Sequence, residues 1–440
     1  MQRAFPAANF IFTNSSVTSA NTFPFTCDDA NAELAGIRAT ELAAGTDPHT
    51  KYMALVINTG GFMRGCSSGV PDSPDTSVVA SSPTGGTVPK PGNATGDTDA
   101  SWGDWYAGHE LSHTFGRRHP GFCNGNSDDD DDFTNPNGQI SDNLQTFVGL
   151  DRGDAANSVP MAVISPFAFD IMTYCNQPQW FSAHNYIGVF NRFRAENGVS
   201  GNDFVPTAGA PETTGAQAGS NGPNASEGSN GGSGSNGANG DFVSIVATVN
   251  LTKHTGAIKF VDRVGRAVDQ GPLQNQLAAV RFVDAAGKVL GTFPTWVREN
   301  SDLDQTPGAD RTGLVQIVVP VERAAASLEL VLEGKVVSRR AISKHAPVVK
   351  ALKISELATL LGKRGRTLIW LGVDLDVDPL TYLVQLSGEG DTWETVATGL
   401  KVSKVRLTEE QIGRPRRVRV IANDGFNVSE PATIEIVPAK

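Results

Sequence analysis

A run of eleven residues, HELSHTFGRRH, places three histidines at fixed spacing around one glutamate and one glycine. His109 and His113 stand four positions apart, so a helix would project both imidazoles from the same face. Nitrogen ligands at that spacing can bind one Zn²⁺ at about 2.0–2.1 Å. Glu110 would lie beside the metal without occupying a ligand position, where a carboxylate can act as a base toward water.

The remainder of the motif, H-E-x-x-H-x-x-G-x-x-H, predicts a third ligand. Gly116 can end the helix in the left-handed region at little cost, because it has no Cβ. The resulting turn would bring His119 back to the metal and leave a fourth position open for water, as catalytic zinc sites do. Two simpler interpretations are a surface helix that carries histidines by chance and a structural zinc site. Only seven histidines occur in the chain, which disfavours the first. A structural site would usually be closed by a fourth Cys or His and would need no glutamate.

A second motif follows at residues 165–175, which read SPFAFDIMTYC. The long histidine motif followed by a methionine turn resembles the metzincin metalloproteases, and the resemblance covers roughly residues 1–200. It implies that Met172 forms a hydrophobic floor under the three histidines. It also implies that Tyr174 lies near the zinc and stabilises an oxyanion, as in astacins and serralysins. Ordinary core packing is the alternative for both residues. The glycine-rich calcium repeats of serralysins are absent, so that family is not assigned. The chain resembles a bacterial-type secreted metzincin with appended immunoglobulin-like domains.

The four cysteines are Cys27, Cys66, Cys123 and Cys175, and none has C-x-x-C spacing. If the zinc motif and the methionine turn meet, the sulfurs of Cys123 and Cys175 come near each other, and we expect a disulfide between them. Cys27–Cys66 follows only by elimination. Disulfides imply an oxidising compartment. The alternative is four buried thiols.

The charge balance, 36 Lys+Arg against 47 Asp+Glu, gives −11 and argues against nucleic acid as a partner. No apolar stretch reaches the length of a membrane helix. The first residues lack an apolar signal core. We therefore expect a secreted, monomeric protein whose signal and pro-segment were removed, or a chain that begins inside its precursor.

Residues 1–206 are predicted to form an α+β, metzincin-like catalytic domain. Apolar periodicity predicts helices over 28–43 and 181–196 and a buried strand over 52–57. The segment 76–81 is a strand candidate. By its place in the chain it corresponds to the metzincin edge strand that binds substrate as an added strand, although an ordinary edge strand fits equally well.

The composition changes sharply at residues 207–240, which are rich in Gly, Ser, Asn, Ala and Thr and contain no aromatic or branched aliphatic residue. Such a segment predicts a flexible linker, and few contacts should cross it. Beyond it, period-two alternation predicts a β-sandwich-like domain over 241–345 and a second β domain over 346–440 that resembles fibronectin-III and cadherin-like modules. The chain is thus predicted to be multidomain, with two all-β domains after the linker.

Two acidic segments leave two interpretations open. Asp128–Asp132 and the alternating aspartates of Asp374–Asp378 could each bind Ca²⁺, or they could be a solvated loop and a turn. The second segment lacks the glycine and terminal glutamate of an EF-hand loop.

The leading functional hypothesis is a secreted zinc endopeptidase with one Zn²⁺ per chain on His109, His113 and His119. Glu110 would act as general base and Tyr174 would donate to the oxyanion. The substrate would be a protein or peptide, and the C-terminal domains would bind a cell-surface or matrix ligand. The alternative is a surface-binding adhesin whose protease domain has weak or no activity, although an inactive relative would commonly lose its base or a ligand. An exopeptidase is a third hypothesis.

Overall fold

The structure, a computed structural model, describes most of the chain outside residues 199–238 and several shorter gaps. The described residues are 3–7, 10–19, 21, 26–57, 65–84, 102–123, 130–155, 158–175, 178–198, 239–267, 273–301, 308–355, 358–360, 363–387, 393–412 and 416–436. Most of the regular structure in them is β and is divided among several sheets. Across these ranges no helix is both long and apolar enough to cross a membrane.

Three helices and several short strands make up the N-terminal part. In chain order they are α1 Cys27–Ala43, β1 Met53–Val56, β2 Cys66–Ser67, β3 Ala80–Pro83, α2 Trp102–Thr114, β4 Gly149–Asp151, β5 Ala162–Ile164, β6 Phe169–Asp170, β7 Gln179–Trp180 and α3 Ala183–Glu196, with a short 3-10 helix at Pro136–Gly138 before β4. The helices expected over 28–43 and 181–196 and the strand expected over 52–57 are present, with ends shifted by at most two residues. Thr26 caps α1 by accepting a hydrogen bond from the Asp29 amide at 3.1 Å.

The first sheet has the order β1-β3-β2, with β3 parallel to β1 and antiparallel to β2. The predicted edge strand over 76–81 is therefore wrong in position, since β3 occupies residues 80–83 and lies in the middle of the sheet. The edge strands are β1 and β2, and the two residues of β2 are too few to show an alternation pattern. A disulfide between Cys27 and Cys66 ties β2 to α1.

Two β units follow, each built from two sheets. The first contains β8 Asn239–Asn250, β9 Thr255–Arg266, β10 Ala278–Val283, β11 Val289–Thr295, β12 Arg298–Glu299, β13 Thr312–Pro320, β14 Ser327–Leu332 and β15 Lys335–Ala341, in sheets ordered β12-β13-β8-β9 and β11-β10-β14-β15. Inward side chains of both sheets, such as Ile245 and Phe282, share one buried cluster, as in a sandwich.

The second β unit has the same plan. It contains β16 Val348–Ile354, β17 Ala358–Leu360, β18 Lys363–Val373, β19 Thr381–Ser387, β20 Trp393–Leu400, β21 Lys404–Thr408, the one-turn helix α4 Glu409–Ile412, β22 Arg416–Asn423 and β23 Ala432–Ile436. One sheet runs β16-β18-β17 with β21 also on β18, and the other runs β20-β19-β22-β23. Trp370 from the first sheet and Val384 from the second meet in its core.

The N-terminal part packs directly against both β units. Leu34 and Ala35 of α1 share a buried cluster with Val246 and Leu314 of the first unit. At the second unit, the Thr395 amide donates to the Glu41 carboxylate at 3.0 Å. The expectation that few contacts cross the linker is therefore wrong. The composition of residues 207–240 describes the linker alone. The packing surface is formed by apolar side chains of α1, which lie outside the linker.

A buried arginine lies at the centre of this interface. The side chain of Arg298, at the start of β12, is fully buried, donates to Ser77 Oγ at 2.6 Å and lies 3.5 Å from the Asp75 carboxylate. Its guanidinium also lies over the ring of Trp296. Removing one partner of a buried ion pair leaves an uncompensated charge, so the loss of either side chain would disfavour the docked arrangement.

Cutting the linker should not separate the two halves. We expect that protein cleaved at a protease site engineered at position 220 will co-elute as one species in size-exclusion chromatography. Arg298→Ala should promote separation after cleavage, because Asp75 would be left buried without its partner at a cost of about 3–5 kcal/mol. Arg323→Ala, at an exposed arginine, is the matched control. If the two halves of the cleaved protein separate when Arg298 is intact, the interface is contradicted.

Candidate metal centre

The centre begins on α2, which carries the first two histidines and the glutamate. The helix ends at Thr114, and Gly116 adopts φ +76°, the left-handed conformation predicted for it. Its amide donates to the His113 carbonyl at 2.8 Å. A Cβ at this position would come within 2.5 Å of the Pro71 carbonyl oxygen and would clash with Arg192. The chain can therefore turn back toward α2 only with glycine here.

The three predicted histidines come together and are all buried. Their candidate ligand atoms lie within 4.8 Å of one another. His109 Nδ1 is 2.8 Å from the Ile171 carbonyl oxygen, and His113 Nδ1 is 2.7 Å from the Arg117 carbonyl oxygen. A carbonyl oxygen can only accept, so each Nδ1 carries the proton and each neutral ring presents a lone pair at Nε2.

This donor set fits a metal ion. The Nε2 atoms of His109 and His119 are 3.0 Å apart, and two lone pairs so close need a shared electrophile between them or a bridging proton. Second-partner hydrogen bonds from Nδ1 to backbone carbonyls are the usual means of orienting histidine ligands. Among the described residues, the other group with a comparable spacing of candidate ligands is Asp374, Asp376 and Asp378.

Glu110 lies next to the histidines with its side chain buried. Gly65, just before β2, makes room for it, because a Cβ there would approach Glu110 Cγ to 2.5 Å and Glu110 Oε1 to 2.9 Å. Ser301 from the first β unit places its Oγ 3.4 Å from Glu110 Oε2. Sequence reasoning missed both neighbours. Neither sits in a recognisable pattern, and Ser301 lies 191 positions away along the chain.

The segment predicted as a methionine turn lies beside the histidine group, where the Ile171 carbonyl contacts His109. Met172 is completely buried in a cluster with Leu111 and Phe115 from the motif segment. Asp170 fixes the turn, accepting hydrogen bonds from the Met172 amide at 2.8 Å and from the Ser182 amide at 2.8 Å. Because the turn positions the Ile171 carbonyl, it also orients the ring of His109.

Asp170 itself was not predicted. Complete burial raises the pKa of its carboxyl group, and hydrogen bonds from Ser182, Met172 and Asn185 act in the opposite direction. The Asn185 side chain donates to it at 2.7 Å. The position of Asp170, two residues before Met172, is the feature of the sequence from which its role in the turn could have been predicted.

Tyr174 lies beside the histidine group, as the resemblance implied. Its Oη is 3.1 Å from His119 Nε2, and its ring stacks on the His119 ring at a centroid distance of 4.9 Å. The residue remains 41% exposed. A tyrosine that is half open to solvent can contact both the centre and a molecule that approaches it.

The predicted disulfide between Cys123 and Cys175 is confirmed, with the Cα atoms 4.8 Å apart. It joins the segment after His119 to the segment after Met172. The two motifs are thus linked covalently on the side of the centre where Tyr174 lies.

The two acidic segments differ in what the structure describes. Asp128 and Asp129 lie outside the described residues, and Asp130 is bonded to His184 at 3.0 Å and lies 3.7 Å from Arg117. Asp376 accepts hydrogen bonds from Ser343 Oγ at 2.7 Å and from the His345 amide at 2.8 Å. Protein donors therefore already occupy carboxylates of both segments, an arrangement typical of an ordered turn.

No family model matches the chain, and no curated protein matches it. Among solved structures, a β-1,2-glucanase from Parabacteroides distasonis is similar at 14% identity and a TM-score of 0.18, over 46% of this chain and 28% of the glucanase. A bacterial orthologue of human α-L-iduronidase is similar at 14% identity and a TM-score of 0.18, over 45% of this chain and 31% of that protein. The chain therefore spans less than a third of either protein, and at that TM-score neither likeness supports an argument about fold or function.

Replacing Asp170 should damage both stability and metal binding. Asp170→Ala leaves three donors without their buried acceptor, so we expect a loss of about 2–4 kcal/mol in the free energy of unfolding. Metal affinity should fall as well, because the turn that holds His109 loosens. Urea unfolding and metal titration measure the two effects. Asp142→Ala, at a near-surface aspartate that accepts hydrogen bonds from Thr146, should change neither appreciably. Unaltered metal affinity in Asp170→Ala would contradict the role of the turn.

Proposed function

We propose that this protein is a zinc endopeptidase of metzincin type. The observation that supports it best is the histidine group, in which two imidazoles are fixed through Nδ1 by backbone carbonyls. A buried glutamate and a half-exposed tyrosine adjoin that group. A structural site would need neither a base nor an open side.

His109, His113 and His119 would hold the Zn²⁺. When bound, the metal supplies Lewis acidity that polarises a carbonyl oxygen and makes water more acidic. The choice of zinc over other metals rests on the all-nitrogen donor set, which suits zinc and is unlike the oxygen donors that calcium and magnesium take.

Glu110 performs the proton transfers in this proposal. As a base it removes a proton from the water that attacks the scissile carbonyl carbon. The same carboxyl group then gives that proton to the leaving amine nitrogen as the C–N bond breaks. Burial beside Gly65 keeps the carboxylate in one place, so little reorganisation is needed between the two transfers.

Tyr174 stabilises the negative charge that develops on the carbonyl oxygen. Its hydroxyl contacts His119 Nε2 in the structure and belongs to a partly exposed side chain. A phenol can therefore donate a hydrogen bond to an oxygen at this side of the centre.

Two disulfides and the absence of free cysteines among the four support an oxidising compartment and hence a secreted enzyme. The substrate class that fits is an extended peptide, because β2 is an edge strand of its sheet and follows Gly65, which adjoins Glu110.

Purified protein should contain one zinc per chain. Treatment with 1,10-phenanthroline should abolish hydrolysis of a peptide library, and added Zn²⁺ should restore it, because the proposed reaction needs the Lewis acid that the three histidines would hold. Elemental analysis and mass spectrometry of the digest measure the two effects. Full hydrolysis by exhaustively demetallated protein would overturn the proposal.

Replacing the base should separate metal binding from turnover. Glu110→Gln keeps all three ligands and the side-chain volume, so zinc content should stay at the wild-type level while kcat falls about 10²–10⁴-fold. Glu33→Gln is the matched control, since Glu33 is also a buried helical glutamate but lies on α1. Hydrolysis by Glu110→Gln at the wild-type rate would show that another group is the base.

A further inference from the structure

A residue of the first β unit touches both the sheet edge and the proposed base. The Ser301 amide donates to the Ser67 carbonyl at 3.1 Å, and Ser301 Oγ accepts from the Ser67 amide at 2.9 Å. The same Oγ lies 3.4 Å from Glu110 Oε2. Ser301 therefore lies between β2 and the base.

The groups that Ser301 uses are those on the side of β2 that faces away from β3, and Ser301 covers them in the structure. Ala80, the partner of Ser67, directs its amide toward the other side of β3, to the Tyr52 carbonyl at 3.2 Å. In an antiparallel pair this makes Ser67 a residue that turns its N–H and C=O away from β3. Such outward groups are the ones that an added strand bonds.

We propose that Ser301 occupies the place of a substrate main chain and holds the enzyme in a self-inhibited state. This inference rests on the proposed function. A peptide that pairs with β2 at Ser67 must first displace both hydrogen bonds of Ser301. It must also replace the Ser301 hydroxyl beside Glu110.

The residues immediately before Ser301, from Arg298 to Asn300, hold it in place. Arg298 is buried against Ser77 and Asp75, and the Asn300 side chain bonds Asp28 and Thr312. Those contacts do not involve β2. Substrate can therefore compete for Ser67 locally while the β unit remains docked, and the segment stays close enough to return after product leaves.

A second role for Ser301 predicts the opposite result. If its hydroxyl only positions the Glu110 carboxylate for catalysis, removing it lowers kcat. If Ser301 competes with substrate, removing its hydroxyl lowers KM. The sign of the change in kcat/KM therefore separates the two roles.

The test compares Ser301→Ala with Ser301→Thr in the full-length zinc protein. We expect Ser301→Ala to raise kcat/KM for peptide hydrolysis about three- to tenfold, mainly through KM, as expected for losing one competing hydrogen bond. Ser301→Thr keeps the hydroxyl and should stay near wild type. Ser338→Ala, at a half-buried serine of β15, controls for loosening of the β unit.

A readout that does not depend on turnover is hydrogen exchange at the Ser67 amide, followed by mass spectrometry. Exchange should quicken in Ser301→Ala and slow again when a peptidyl hydroxamate is added as the probe. That probe should also bind Ser301→Ala about three- to tenfold more tightly than wild type.

The two proposals fail in different ways. If wild type and Ser301→Ala both contain zinc but cleave no peptide, the proposed function is wrong and self-inhibition falls with it. If wild type cleaves peptides and Ser301→Ala has unchanged or lower kcat/KM, only self-inhibition is wrong. Cleavage by Ser301→Ala alone would support both.

Discussion

The centre depends on one buried carboxylate. Asp170 accepts from the Met172 amide, the Ser182 amide and the Asn185 side chain, which joins the methionine turn to α3. Burying a charged group is costly unless such donors surround it, so the carboxylate and its donors stabilise one another. The methionine turn also presents the Ile171 carbonyl, which fixes the ring of His109 by a hydrogen bond. The orientation of His109 in the histidine group follows from that hydrogen bond.

The sequence predicted the parts of this centre whose chemistry is local. The spacing of the histidines, the left-handed turn at Gly116 and the pairing of Cys123 with Cys175 all follow from rules that act over a few residues or from one resemblance. Gly65 and Ser301 could not be found in this way. Their roles arise only from tertiary contacts with Glu110, and a lone glycine or serine carries no periodic signal.

The fold shows the same division between local and long-range information. Alternation predicted the two β units, because a half-buried strand needs only its own residues to be recognised. The two-residue strand β2 is too short to show an alternation pattern. The segment 76–81, which overlaps β3, was therefore predicted to be the edge strand. The interface was also missed, since a linker composition says nothing about whether the surfaces that it joins are complementary.

The interface between the N-terminal part and the β units changes how the β units could affect function. Tethered domains would act only by raising the local concentration of substrate, and their effect would depend on having a ligand to bind. The first β unit, docked through Arg298 and α1, instead lies within hydrogen-bond distance of Glu110, the proposed base. Any ligand that binds the first β unit and shifts β12 would then alter access to Ser67 in proportion to its preference for the shifted state. The proposed protease role and a surface-binding role of the first β unit need not be alternatives, because Ser301, which follows β12 closely, contacts both Ser67 and Glu110.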